Sequence, residues 1–103
     1  MLRILRHRKA KRDLLRIYVY LGERNVDAAE RFLRAVDSDL KRIAGMPNIG
    51  AKRQSNNPKL TDVRSLPVSG FHNYLIFYTA TATAVQVMRV IHGARDIDTA
   101  FDE

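Results

Sequence analysis

Apolar residues recur at helical spacing in two segments of the first half of the chain, and they predict two amphipathic helices. The first helix is predicted from Lys9 to about Gly22, a residue suited to ending a helix. The second begins after Asn25, a favourable N-cap residue, and ends at Gly45 and Pro47. Because only a few residues separate the helices, we expect an antiparallel hairpin. The apolar faces consist of Ala10, Leu14, Ile17, Tyr18 and Leu21 in the first helix and of Ala29, Phe32, Leu33, Val36, Leu40 and Ile43 in the second.

The second half of the chain contains three runs rich in β-branched and aromatic residues, which favour strands. These runs are residues 63–68, 74–79 and 85–92. Ser69 and Gly70 separate the first two runs, and residues 80–83 separate the last two. Connections this short predict an antiparallel meander.

The remaining segments complete the predicted architecture. Residues 2–6 predict a first strand, and residues 47–60, rich in Pro, Asn, Gly, Lys and Ser, predict a mobile loop. Residues 98–103 are acidic, and we expect them to be frayed. The element order β-α-α-β-β-β predicts an α+β fold of two layers, with the helical hairpin packed on one face of an antiparallel sheet. The length of 103 residues predicts a single domain, residues 1–103.

The composition is that of a soluble globular protein, with 46% hydrophobic and 28% charged residues. No run approaches the roughly 18 apolar residues typical of a membrane span, and the basic N-terminus is not followed by the apolar run of a secretory signal. The chain has no cysteine, which excludes disulfides and thiolate metal sites. His7, His72 and His92 are scattered without metal-ligand spacing. We therefore predict a cytoplasmic protein without a cofactor.

Positive charge is concentrated at the N-terminal end. Residues 1–24 contain eight Lys or Arg and two acids, a net charge of +6, whereas the other 79 residues contain ten and nine, a net charge of +1. Such a patch attracts nucleic acid or an acidic protein partner. The alternative interpretation is an ordinary solvated helix face.

The most distinctive segment is VQVMRVIHGARD, residues 85–96. A buried strand is expected to run into Gly93, which can turn the chain sharply. Arg89, His92 and Arg95 would then form a basic cluster displayed at the end of a rigid element. A packed strand fixes the positions of the side chains it carries, so this is a favourable place for function.

The segment also resembles the closing motif of the RelE/ParE superfamily of bacterial toxins, and of its ParE branch in particular. Three further segments agree with that family in order and spacing. They are RDLLRIYVYL at residues 12–21, MPNIG at residues 46–50, and VRSLPV at residues 63–68 followed by NYLIFY at residues 73–78. The resemblance covers nearly the whole chain. It implies that the first strand joins the sheet beside the last one.

The resemblance further implies the toxin of a type II toxin–antitoxin pair that inhibits DNA gyrase by binding, without catalytic residues. It implies a ParD-type antitoxin with a disordered segment that folds on binding. Leu15 and Val19 lie off the main apolar face of the first helix, so an exposed apolar strip is expected there to receive this partner. We assign antitoxin binding to Leu15, Val19, Arg12 and Arg16, and target binding and toxicity to Arg64, Arg89, His92 and Arg95.

The alternative within the superfamily is a ribosome-dependent mRNA endonuclease of the RelE type. His92 would then act as a general acid or base, because imidazole titrates near neutral pH. Two observations disfavour this alternative. No Tyr follows Tyr78, although the nucleases carry an acid–base residue near the C-terminus, and the acidic end is a poor neighbour for RNA phosphate. A third possibility is an inert family member that retains only antitoxin binding. Direct binding of nucleic acid is left open.

Overall fold

The structure is a computed structural model that describes residues 1–53 and 56–102. These residues form three α-helices and five strands, with a short 3₁₀ helix at Pro58–Leu60. In chain order they are β1 Arg3–Arg6, α1 Arg8–Gly22, α2 Val26–Gly45, β2 Ala51–Lys52, β3 Arg64–Val68, β4 Phe71–Ala80, β5 Ala84–His92 and α3 Ile97–Asp102.

The strands form one sheet in the order β1-β5-β4-β3-β2. The last three strands pair antiparallel, which confirms the predicted meander. β1 lies beside β5, as the family resemblance implied, and pairs with it in parallel, Arg3 against Ala84 and Arg6 against Val87. The sheet is therefore mixed rather than purely antiparallel.

The helical hairpin covers one face of this sheet, as predicted. Asn25 caps α2, its side chain accepting a hydrogen bond from the Ala28 N–H at 3.1 Å. The core beneath the hairpin joins both helices to the central strands, and Phe32, Leu40 and Ile76 in it are fully buried. Burial of this apolar surface positions α1 along β5.

Residues 98–102 of the acidic C-terminal end belong to a helix, contrary to the expectation that they are frayed, and Glu103 lies outside the described residues. Residues 97–102 form α3, in which Ile97, Ala100 and Phe101 are buried. Phe101 packs edge-to-face on Phe77 with ring centroids 5.4 Å apart. Phe77 alternates along β4 with core residues of the hairpin side, so α3 covers part of the opposite face of the sheet. Asp96 precedes α3 and accepts hydrogen bonds from the side chain and N–H of Thr99, which hold the pKa of its carboxyl below the usual value.

The predicted loop at 47–60 also contains regular structure, although residues 54 and 55 lie outside the described part of the chain. β2 pairs with β3, and the 3₁₀ helix buries Leu60. Tyr78 holds the start of this segment against the sheet. Its hydroxyl donates to the Pro47 carbonyl at 2.8 Å and accepts from the Gly50 N–H at 2.9 Å. Burial raises the pKa of Tyr78.

Candidate functional surfaces

The outer face of α1 carries an exposed apolar strip, which we define as Leu15, Val19 and Tyr20. Leu15 is 64% exposed, and Val19 and Tyr20 are each 49% exposed. The strip arises from helical geometry, because Ala10 and Ile17 point into the core, whereas Leu15 and Val19, four residues apart, lie on the other side of the helix. Tyr20 lies beside Val19, on the flank of the helix closer to the core. Three large apolar side chains left in water near one another on α1 indicate a surface that receives a partner.

The N-terminal half of the same helix carries five exposed cations, which we call the basic face: Arg8, Lys9, Lys11, Arg12 and Arg16. Among the residues that the structure describes, none of the five forms an ion pair or a side-chain hydrogen bond. By contrast, Arg6 and Arg42 nearby pair with Asp37 and Asp39. The basic face therefore projects uncompensated charge from α1.

The sequence predicts that Arg89 is displayed at the end of the strand. In the structure Arg89 is instead buried and only 6% exposed. Its Nε donates to Asp13 Oδ2 at 2.7 Å and its Nη2 to Asp13 Oδ1 at 3.0 Å, a bidentate pair. Nη1 donates to the Ala100 carbonyl at 2.5 Å. Asp13 Oδ2 also accepts from the Val90 N–H at 3.0 Å. Arg89 thus ties α1, β5 and α3 together.

His92 lies at the end of β5, partly buried. Its Nδ1 accepts a hydrogen bond from the Ala94 N–H at 3.1 Å, so a neutral ring carries its proton on Nε2. The ring meets Tyr74 edge-to-face at 5.1 Å. Arg95 follows the Gly93 turn and is exposed, as predicted. Of the three cluster residues, Arg95 is exposed, His92 is partly buried and Arg89 is buried.

Arg64 lies apart from this cluster. It is half-buried at the start of β3, and its guanidinium donates to the Gly50 carbonyl at 2.8 Å. In the sheet register, Arg64 of β3 lies opposite Tyr78 of β4, whereas His92 of β5 lies opposite Tyr74 of β4. Four residues along a strand span about 13 Å, so the two side chains start from distant points of the sheet.

The structure brings Arg16 next to the strand-end cluster, an arrangement that the sequence did not indicate. One groove of about 200 Å³ is lined by Lys9, Arg12, Asp13, Arg16 and Arg89. A smaller groove of about 110 Å³ also includes Asp13 and Arg16, and it continues to His92 and Arg95. Two residues assigned to antitoxin binding, Arg12 and Arg16, therefore adjoin three of the residues assigned to toxicity, Arg89, His92 and Arg95.

Two buried carboxylates were missed by the sequence reasoning. Asp13 is described above. Asp39 accepts from the N–H and the hydroxyl of Ser69, each at 2.7 Å, and pairs with Arg42 at 3.0 Å, so it braces the turn between β3 and β4. Both occupy helix positions that match the core spacing, Asp13 between Ala10 and Ile17 and Asp39 beside Leu40. That spacing was the available signal.

The described residues contain no group of three or more His, Cys, Asp or Glu side chains placed to hold a metal ion. Within the same residues, no helix is long and apolar enough to cross a bilayer.

Comparison with known proteins identifies the class. The family model for the ParE toxin of the type II toxin–antitoxin system parDE matches residues 4–97. The chain therefore belongs to the ParE toxin family and is a toxin of a type II toxin–antitoxin system, whose partner is an antitoxin. The predicted ParE family and the predicted role as a toxin of a type II toxin–antitoxin system are both confirmed.

The fold agrees with a solved relative. A chain in the structure of the chromosomal ParDE toxin–antitoxin system from P. aeruginosa is 22% identical and superposes with a TM-score of 0.71. The superposition covers 89% of this chain and 96% of that chain. Curated protein sequences contain no match.

Proposed function

We propose that this toxin acts in the cytoplasm by binding DNA gyrase, without catalysing a reaction, and that a ParD-type antitoxin neutralises it. Membership in the ParE family supports a toxin that works by binding. The antitoxin would place apolar side chains on Leu15 and Val19 and acidic side chains near Arg12 and Arg16. Target binding would use Arg95 and its neighbours at the end of β5.

The observation that carries the binding mechanism is the engagement of Arg89. Cleavage of RNA needs free cations around the phosphate and a poised acid and base. Arg89 is held by Asp13 and by the Ala100 carbonyl inside the protein. Arg64 bonds the Gly50 carbonyl elsewhere on the sheet, and His92 has one ring nitrogen committed to the backbone. Arg64 therefore does not line the groove of His92 and Arg95, and the Arg89 guanidinium is occupied inside the protein.

The adjoining grooves support a simple route to neutralisation. A segment lying along the apolar strip toward Arg16 would reach the groove that contains His92 and Arg95. One antitoxin segment would then cover both the α1 surface and the strand-end cluster. Binding of the antitoxin and of the target would be mutually exclusive.

Two assays on purified toxin test the mechanism side by side: inhibition of DNA supercoiling by gyrase, and cleavage of mRNA bound to ribosomes. We expect inhibition of supercoiling, with no cleavage. The addition of antitoxin should restore supercoiling, which controls for contaminants. Cleavage without inhibition would establish the RelE-type nuclease instead, and inactivity in both assays, with antitoxin still bound, would indicate an inert family member.

A further inference from the structure

The basic face of α1 has a charge arrangement that works against the stability of its own helix. Four of its cations, Arg8, Lys9, Lys11 and Arg12, lie within the first five residues of α1, and the first turn contains no acid. The helix dipole disfavours positive charge at this end. By contrast, α2 has an acid, Asp27, in its first turn and a base, Arg42, in its last turn, which is the arrangement that the helix dipole favours. The charges on α1 therefore point to a role outside the fold.

The charge is also specific to this helix. α1 contains five Lys or Arg and one acid, Asp13, whose carboxylate forms an ion pair with Arg89. α2 contains four of each sign and is neutral. Arg8, Arg12 and Arg16 follow at intervals of four residues, so they form a row on one side of the helix about 12 Å long. The groove beside this row adds Lys9.

We propose that the basic face of α1 binds the phosphate backbone of duplex DNA, independently of base sequence. A row of Arg and Lys is what a polyphosphate surface requires, and the one acid within the row, Asp13, is buried and neutralised by Arg89. Binding to an acidic protein would need apolar contacts as well, and no exposed apolar residue lies among the four cations Arg8, Lys9, Lys11 and Arg12, because the exposed apolar residues of α1 begin at Leu15, beside Arg16.

Single-stranded nucleic acid fits this surface less well than a duplex. Proteins that bind single strands add aromatic rings on which bases stack. The segment Arg8–Arg16 contains no aromatic residue. The ring of Tyr20, one turn farther along the helix, is covered by the Arg24 guanidinium, which lies 3.8 Å from the ring centroid, so that face of the ring is not open to a base. A basic surface without an aromatic ring on which bases could stack suits the uniform phosphate backbone of a duplex.

This inference goes beyond the proposed gyrase inhibition and is tested without gyrase. Binding of a fluorescein-labelled 24-base-pair duplex is followed by anisotropy between 50 and 200 mM salt. Each phosphate contact contributes about −0.9 to the slope of log affinity against log salt concentration. Three contacts from Arg8, Arg12 and Arg16 therefore predict a loss of about 40-fold over this salt range.

The test variant is Arg8→Gln/Arg12→Gln/Arg16→Gln. Its helix should persist, because Gln is a good helix former and positive charge leaves the first turn. We expect the salt slope to fall by about 2.7 and the affinity at 100 mM salt to fall on the order of 100-fold. The matched control, Arg31→Gln/Arg34→Gln/Lys41→Gln on α2, removes the same charge and should stay close to the unmodified toxin. Circular dichroism verifies both folds.

Four outcomes would overturn the proposal. They are absence of duplex binding at 50 mM salt, equal losses in the two triple variants, tighter binding of a single strand with the same number of phosphates, and equally tight binding of a glutamate-rich peptide of the same charge. The last outcome would make the basic face a surface for acidic proteins. The anisotropy assay contains no gyrase, and the triple variant can be tested for inhibition of supercoiling in its own right, so the two proposals can fail separately.

Discussion

Asp13 and Arg89 lie 76 residues apart in sequence and meet in a buried ion pair. This pair explains why the sequence predicts a displayed Arg89 whereas the structure buries it. An Arg on a strand near a glycine turn matches the pattern of a displayed cation, and Asp13 matches the many charges of α1. Only the folded chain brings the two together. His92 and Arg95 could be located from the Gly93 turn, because that information is local.

The first prediction concerns this pair. Asp13→Asn leaves Arg89 buried without a countercharge, and breaking a buried pair in this way costs about 3–5 kcal/mol. Urea denaturation should reveal that loss in the free energy of unfolding. Asp37→Asn is the matched control, because it breaks the exposed pair with Arg6, worth at most about 1 kcal/mol. Equal effects of the two changes would contradict a structural role for the pair.

At the same scale, Arg95 and His92 separate the two mechanisms. If the toxin binds gyrase, Arg95→Ala should relieve growth arrest, because it removes an exposed planar cation able to grip a carboxylate or phosphate. His92→Gln should then be nearly silent. If the toxin cleaves RNA, His92→Gln should cost about 100- to 10,000-fold in rate. The measurement is the growth arrest that each variant causes, with its expression verified. Full arrest by Arg95→Ala together with loss of arrest by His92→Gln would favour the nuclease.

At the scale of elements, long periodic segments were predictable and short ones were not. α2 carries six apolar residues at helical spacing and a favourable cap, so its bounds could be read from the sequence. β2 has two residues, too few for a periodic signal. α3 has three apolar residues among acids, and it forms because they pack on Phe77 and Ile91. Tertiary contact, rather than local propensity, determines these two elements.

The apolar strip of α1 supports a prediction at this scale. Leu15→Ser/Val19→Ser should weaken antitoxin binding by on the order of 3 kcal/mol, about 100-fold in Kd, because two apolar side chains no longer leave water on binding. The variant should also be more soluble than the unmodified toxin when free. Val26→Ser is the control, since Val26 is 64% exposed on α2, outside the strip. Calorimetry that gives unchanged affinity for the double variant would place the antitoxin elsewhere.

At the scale of the whole molecule, charge separates the N-terminal end from the rest. Residues 1–24 carry +6 of the net +7, and the basic face exposes most of it. The resulting field attracts an acidic partner before contact and is screened over about 8 Å at physiological ionic strength. Association should therefore be faster than for a neutral surface.

The corresponding prediction is a steep salt dependence of antitoxin binding. The association rate should fall on the order of tenfold or more between 20 and 500 mM salt, because screening removes electrostatic steering. The dissociation rate should change less. Stopped-flow mixing measures both. A flat association rate would mean that the charge of residues 1–24 does not guide the antitoxin.

The parallel pairing of β1 with β5 has a consequence for synthesis of the toxin. β5 lies in the interior of the sheet although it is translated after the four other strands of that sheet. At about 5–20 residues per second, it leaves the ribosome several seconds after the strand and helix that depend on it. The toxin therefore cannot complete its fold until β5 has been translated. A stop codon at nearly any position before His92 would therefore silence the gene, which makes the toxin easy to lose by mutation while its antitoxin gene stays intact.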